Sequence, residues 1–210
     1  MTSRRVVLAS RNDKKLAELR RILDRLLPGN AVLGLDDVTP YPEPAETEAT
    51  FEGNALLKAR ACVKATGLPS LADDSGLCVD ALNGMPGVLS ARWSGVAKDD
   101  GGTSADRDGA NNALLLSQMG DVPDVRRGAT FRCAMAFCTP DGLEVVETGE
   151  MTGRILRAEQ GDGGFGYDPL FAADGYDVST AQLPPRDKDR ISHRGHALAA
   201  IAPHVVAALG

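Results

Sequence analysis

The chain has 210 residues, 43% of them hydrophobic and 25% charged, and a formal net charge of −6. That length carries one sizeable domain or two lobes around a shared core, with an ordinary globular balance. The negative charge argues against a general nucleic-acid surface, so an anionic ligand would need a local pocket of Lys, Arg and backbone N–H groups, or a metal. The four cysteines, Cys62, Cys78, Cys133 and Cys138, form no CxxC pair and have no His-x-x-x-His beside them. They read as free thiols in a reducing compartment rather than a zinc site. The apolar part of MTSRRVVLAS is too short for a signal peptide. The run from Ala197 to Gly210 is too short to span a bilayer, so a cytoplasmic protein is expected.

Arg5 to Ala9 predicts a short buried strand. From Asp13 to Leu27, Leu16, Leu19, Ile22, Leu23, Leu26 and Leu27 keep helical spacing, and Pro28-Gly29 stops the helix. Tyr41 to Thr50 reads as a loop. Thr50 is placed to cap a second helix that runs to about Thr66 and ends at Gly67, with Phe51, Ala55, Ala59, Cys62 and Val63 as its buried stripe. SLADDSGLCVDAL predicts two short strands broken by an acidic turn. Residues 83 to 105 read mostly as loop, and Asp108 to Met119 as helix. ATFRCAMAFC, Ala129 to Cys138, alternates as a long strand. Thr139-Pro140-Asp141-Gly142 is a turn, and Leu143 to Leu156 returns as its hairpin partner. Ser192 is placed to cap a last helix that Pro203 kinks or divides. Alternating strands and helices followed by a hairpin indicate a mixed α/β sheet.

Gly161-x-Gly163-x-x-Gly166 has the spacing of a dinucleotide-binding loop. That use needs a helix directly after the glycines, and Tyr167-Asp168-Pro169 follows instead, so NAD binding is disfavoured. Ser10-Arg11-Asn12-Asp13-Lys14-Lys15, between a strand and a helix, is the better phosphate loop. Backbone N–H groups point outward at a helix start, and Lys15 adds a charge. In LADDSG, Asp73 and Asp74 are adjacent on a strand and point to opposite faces, so one of them is expected to enter a given site. A carboxylate at a strand end beside a phosphate loop is a place for Mg²⁺. Lys188, His193 and Arg194, near the start of the final helix, can all donate to a carbonyl oxygen.

The ordered motifs SxNxxK, TFEGNALLKA, LADDSGL, PGVLSARWSG, GGFGYDPLF and KxxISHR cover the chain from Val6 to about Leu198. Together they resemble the inosine triphosphate pyrophosphatase family. The resemblance implies an elongated two-lobed α/β fold in a single domain, residues 1–210. A long central mixed sheet would be flanked by helices, with a cleft between lobes. It also implies Mg²⁺ dependence and usually a homodimer. The implied activity converts ITP, dITP or XTP to the nucleoside monophosphate and pyrophosphate. Carried over by position, Ser10, Arg11, Asn12, Asp13, Lys14 and Lys15 would hold the triphosphate. Asp74 would bind metal and accept a proton, with Ser75 beside it. Glu43 would be a second metal ligand, with Glu46, Glu48 and Glu52 close by in sequence. Phe165, Gly166, Tyr167, Asp168, Lys188, His193 and Arg194 would hold the nucleoside, with Phe165 against the purine face.

The chain departs from the family pattern at SRN in place of TGN, at Gly53 and at Trp93, and Lys98 to Arg107 fits no motif. Two alternatives stand beside this reading. One is a Maf-like pyrophosphatase acting on pyrimidine or modified nucleotides, which the SHR motif and FGYD loop disfavour. The other is a nucleotide-binding regulator without turnover, which Lys15 and the carboxylates disfavour.

Overall fold

Strand alternation sorts the apolar residues of the first part of the chain into two sets. The computed structural model describes residues 5–26, 31–96 and 103–209, the side chains of Asp13, Lys14 and Asp24 excepted. The elements are β1 (Arg5–Leu8), α1 (Asp13–Leu26), β2 (Ala31–Leu33), α2 (Phe51–Thr66), β3 (Ser70–Val79), α3 (Ser104–Gln118), β4 (Gly128–Cys138), β5 (Glu144–Ile155), β6 (Phe171–Ala173), α4 (Pro185–Ile191) and α5 (His193–Leu209). The six strands bond in the order β2-β1-β3-β4-β5-β6. β1 runs parallel to β2 and β3, whereas β5 and β6 are antiparallel. The sheet is therefore mixed, as expected. Contacts divide the chain into two compact units, residues 1–74 with 133–149 and 191–210, and residues 75–132 with 150–190.

In the first unit, Val6, Leu8, Leu71, Cys133, Met135 and Phe137 point to one face of the sheet. There they pack on Leu19, Ile22 and Leu23 of α1 and on Leu198, Ile201 and Val205 of α5. The intervening residues Val7, Ala9, Ala72, Ala134, Ala136 and Cys138 point to the other face, against Ala55, Ala59 and Cys62 of α2. The α2 side is built largely of alanine, so helix and sheet approach closely. Phe51 and Val63, expected within the buried stripe, are only partly buried at its margin. Thr50 caps α2 by accepting the Gly53 N–H at 3.1 Å, and Gly67 ends it in the left-handed region. The first helix ends at Leu26, and Pro28-Gly29 lie outside the described residues.

Three expectations need correction. β3 is one continuous strand from Ser70 to Val79, with no acidic turn at its middle. The tendency of Asp-Asp-Ser-Gly to turn is overridden because both carboxylates find buried cationic partners. α3 begins at Ser104 rather than Asp108. Thr103 and Asp106 form a reciprocal cap, Asp106 N–H donating to Thr103 Oγ1 at 3.2 Å and Thr103 N–H to Asp106 Oδ2 at 2.8 Å. Residues 97–102 lie outside the described residues. α5 runs through Pro203 undivided. Pro203 and Ala199 are both exposed, so the carbonyl that loses its helical partner can bond water. Ser192 caps this helix as expected, its Oγ accepting the Gly195 N–H at 3.0 Å.

Gly149 of β5 fixes where α5 begins. A Cβ at that position would come within 2.2 Å of the His193 carbonyl oxygen and 2.4 Å of the Ala197 nitrogen. Only glycine admits the helix so close to the strand.

The second unit is organised around the paired β5 and β6, in register Gly153↔Ala173 and Ile155↔Phe171. Phe131 meets Phe171 edge to face at 4.7 Å between ring centroids. Buried Arg127 donates to the carbonyls of Met119, Ile155 and Leu156 at 2.6, 2.8 and 2.9 Å, tying the end of α3 to the end of β5. Cys62, Cys133 and Cys138 are buried and Cys78 is half-buried, all as free thiols. No helix among the described residues is long and apolar enough to cross a membrane.

Candidate active site

In the first unit the loop after β1 starts α1 with its own side chains. Asn12 Oδ1 accepts the Lys15 N–H at 3.1 Å, and Ser10 Oγ accepts the Asn12 N–H at 3.3 Å. These two residues therefore shape the loop as well as offering polar groups. Arg11 is exposed and reaches the Tyr41 carbonyl at 3.1 Å, with Glu43 Oε2 at 3.6 Å from its Nε. The side chains of Asp13 and Lys14 lie outside the described residues.

β3 carries Asp73 and Asp74 to opposite faces of the sheet, as strand alternation predicts. Asp73 lies on the α1 and α5 face. Its Oδ2 accepts from Lys15 Nζ at 3.0 Å, and Arg194 Nε is 3.6 Å from the same oxygen. Arg194 also reaches Glu18 Oε2 with Nη1 at 3.4 Å. Burial alone would raise the Asp73 pKa. The charges of Lys15, Arg194 and Lys58 reverse this and hold it well below the usual carboxylate range.

Asp74 lies on the α2 face. Its Oδ1 accepts from Lys58 Nζ at 3.0 Å and its Oδ2 from Asn54 Nδ2 at 3.1 Å. Lys58 also donates to the Asp73 carbonyl at 3.1 Å and lies 2.7 Å from Glu46 Oε1. Burial pushes the Asp74 pKa up, the charge of Glu46 adds to the rise, and Lys58 opposes it. Burial works against the Lys58 charge too, yet Asp74, Asp73 and Glu46 hold its pKa above the usual lysine range. Lys58 is therefore a buried ammonium shared by two carboxylates.

Asn54 also accepts the Glu48 N–H at 3.0 Å and donates to the Glu48 carbonyl at 3.3 Å, fastening the acidic loop to α2. Asn54 and Lys58 were absent from the sequence-based site, and so was any role for Glu18. Their signal was available: both sit on the buried stripe of α2, one helical turn apart, where an apolar residue would be ordinary.

In the second unit the glycine loop leads to Asp168, which is buried. Asp168 Oδ2 accepts from Lys188 Nζ at 2.5 Å and from the Phe165 N–H at 2.8 Å, and its Oδ1 accepts from Thr180 Oγ1 at 3.0 Å. Lys188 Nζ lies 5.2 Å from the centroid of the half-buried Phe165 ring, within cation–π range. Gly164 has a positive φ of 71°, and a Cβ there would overlap the Asp168 carboxylate at 2.1 Å. The glycine thus makes room for the buried ion pair. After Gly166 comes only a short 3-10 turn, Asp168–Leu170, so the helix a dinucleotide loop requires is absent from this stretch. Ser75 is half-buried on β3 in the second unit.

Lys188 was expected at the start of the final helix. It belongs instead to the separate helix α4, in the second unit, whereas His193 and Arg194 open α5 in the first. Pro185 is the first residue of α4, the position proline tolerates best.

The Ham1 family model matches residues 6–204. A dITP/XTP pyrophosphatase of Nocardia farcinica is 61% identical over 208 residues, covering 99% of this chain and 97% of the relative. One from Mycobacterium tuberculosis is 58% identical over 200 residues, covering 95% and 94%. Among solved structures, the Staphylococcus aureus Ham1 protein matches with a TM-score of 0.82 at 36% identity, covering 97% of this chain and 99% of that one. A nucleoside-triphosphatase / dITP/XTP pyrophosphatase from Mycobacterium abscessus matches with a TM-score of 0.74 at 54% identity, covering 95% and 99%. With the fold, the ordered motifs and these matches in agreement along nearly its whole length, the chain belongs to the Ham1 family.

Proposed function

We propose that this protein hydrolyses deaminated purine nucleoside triphosphates, ITP, dITP and XTP, to the nucleoside monophosphate and pyrophosphate. The observation that carries the reading is the array on β3: two adjacent buried aspartates, each held by a lysine, beside a loop at a helix start. The relatives that match nearly end to end and are named dITP/XTP pyrophosphatases support the same substrate class.

No group of three His, Cys, Asp or Glu side chains placed to hold a metal occurs among the described residues. Mg²⁺ needs less, because it binds through one or two carboxylates and fills its remaining positions with water and phosphate oxygens. Asp74 Oδ1 and Glu46 Oε1 already converge on one cation, the Lys58 ammonium, at 3.0 and 2.7 Å. These two hard oxygen donors fit Mg²⁺, and the geometry favours Glu46 over Glu43 as the second ligand. When bound, Mg²⁺ would offset the charge of the triphosphate and polarise the α-phosphate.

Asp74 orients the attacking water and accepts its proton. Burial raises its proton affinity, and a bound Mg²⁺ would lower it again, so activation of the water by the metal would share the work. The water oxygen bonds to the α-phosphorus as the bond to the bridging oxygen breaks, and pyrophosphate leaves with that electron pair. Lys15, aimed by Asp73, neutralises charge growing on the leaving group. Ser10, Arg11 and Asn12 line the loop that receives the triphosphate, and Phe165 supplies a stacking face worth about 1–3 kcal/mol.

Selectivity follows from purine C6, which bears a carbonyl in inosine and xanthosine and an amino group in adenosine. A donor carried beside Phe165 in the second unit, such as Lys188, would meet the carbonyl and lose that acceptor with adenine, a penalty of about 1–3 kcal/mol per lost bond. Pyrophosphate release measured with Mg²⁺ over ITP, XTP, dITP, GTP, ATP and dTTP tests the reading. Preference for the first three supports it, and equal kcat/KM for ITP and ATP defeats it. A preference for dTTP would favour the Maf-like alternative. The proposal also takes the enzyme as a cytoplasmic homodimer, which light scattering of the purified protein tests for its oligomeric part.

A further inference from the structure

Helix α3 carries three polar residues in close succession, Asp108, Asn111 and Asn112, to which no motif assigned a role. Asn111 and Asn112 are each only 3% exposed. Burying an amide is unfavourable unless it is well bonded, and an apolar residue there would stabilise the helix more simply. What the three side chains hold explains them. Asp108 Oδ2 accepts the Gly166 N–H at 2.8 Å, and Asn112 Nδ2 donates to the Gly166 carbonyl at 3.2 Å. One turn of α3 therefore grips Gly166 by both of its backbone polar groups.

Asn111 holds a second loop. Its Oδ1 accepts the Ser94 N–H at 2.7 Å and its Nδ2 donates to the Ser90 carbonyl at 3.3 Å. That same carbonyl accepts the Tyr167 hydroxyl at 2.9 Å. Ser90 is itself fixed, its Oγ accepting the Leu77 N–H at 2.9 Å and donating to the Gly87 carbonyl at 2.6 Å. The Phe165 N–H is bound to Asp168. Phe165 thus sits in a segment whose backbone is pinned at its own residue and the next, and whose Tyr167 side chain is latched.

We propose that Asp108 and Asn112 are positioning residues for base recognition: by gripping Gly166 they set where the Phe165 ring lies. This rests on the reading of Phe165 as the stacking face for the purine. The two acceptor and donor groups stand four residues apart on one helix face, so a single rigid element sets both bonds. The ring is then held in place before substrate arrives, and ordering it on binding costs less.

The test compares wild type with D108A, D108N and N112A by steady-state kinetics on ITP and by amide hydrogen exchange of the segment 161–170. D108A is expected to raise KM about tenfold with kcat within about twofold, as for loss of one hydrogen bond to a charged acceptor. Exchange in the segment should quicken. D108N retains an oxygen that accepts the Gly166 N–H, so it should restore both readouts towards wild type. In an F165A background D108A should change KM little further, because the residues act through one another. N112A should act in the same direction as D108A and stands in for it if D108A does not fold. Unchanged exchange in both alanine variants, or KM effects of D108A and F165A that multiply in full, overturns the proposal. A wild-type protein that releases no pyrophosphate from ITP would defeat the proposed function instead, and the exchange measurement would still decide whether the grip on Gly166 exists.

Discussion

Asp73 and Asp74 are neighbours with identical side chains, yet their surroundings push them in opposite directions. Asp73 faces α1 and α5, where Lys15 and Arg194 outweigh burial and hold it ionised. Asp74 faces α2, where burial and Glu46 raise its proton affinity against the pull of Lys58. One carboxylate is set up as a fixed anchor for a cation and the other as a group able to take a proton. The difference resides in which helices cover the two faces of the sheet, not in the residue type.

The largest expected effect separates the two roles. Asp74→Asn should lower kcat on ITP by about 10²–10⁴, the usual contribution of a general base, with the fold intact because Lys58 keeps Glu46. Near-normal turnover in that variant would remove Asp74 from the chemistry. Asp73→Asn should act mainly on stability, by about 3–5 kcal/mol in chemical denaturation, because it removes the buried counter-charge of Lys15 and one of the carboxylate partners of Arg194, which keeps Glu18. If Asp73→Asn instead spared stability and abolished turnover, the assignments would have to be exchanged.

Acid titration probes the anchor directly. Asp73 has a folded pKa below its unfolded value, which is roughly 3.9. Its stabilisation is therefore complete above that value and lost as pH falls through the range down to the folded value. The melting temperatures of wild type and Asp73→Asn, compared in chelator, should converge as pH drops below about 4. Gly149→Ala should cost about 1–3 kcal/mol through overpacking of β5 against the start of α5. It should also raise KM, since His193 and Arg194 open that helix. The smallest effect belongs to an exposed pair. Arg60 and Glu144 bond at 2.8 and 2.6 Å, but both are well exposed. Glu144→Gln should shift stability by less than about 1 kcal/mol.

The elements whose signals are local were legible. Thr50 and Gly67 mark the ends of α2 through capping chemistry, and Ala129 to Cys138 shows its two faces by alternation. The expectation of a broken strand at Asp73-Asp74 failed because the cationic partners come from distant positions. Lys15 lies on α1, Lys58 on α2 and Arg194 on α5, and no local rule counts them. Lys15 and Asp74, singled out from the sequence, both belong to the charged array on β3, but the residues that hold Asp74 were not legible. Asn54 and Lys58 sit at positions that helical periodicity marks as core, and a stripe drawn through apolar residues alone passes over them. Glu46 could not be told from Glu43 by sequence, since only two residues of loop separate them and only the fold shows which one reaches Lys58.

The unbroken run of β3 has an evolutionary corollary. A strand repeats every two residues, so gaining or losing a single residue ahead of the aspartates would exchange which cations each one meets. Length changes in this stretch should therefore be rejected far more strongly than changes of residue type at its apolar positions. In a library of random single-residue insertions selected for turnover, Ser70 to Asp74 should emerge as a gap in the tolerated sites.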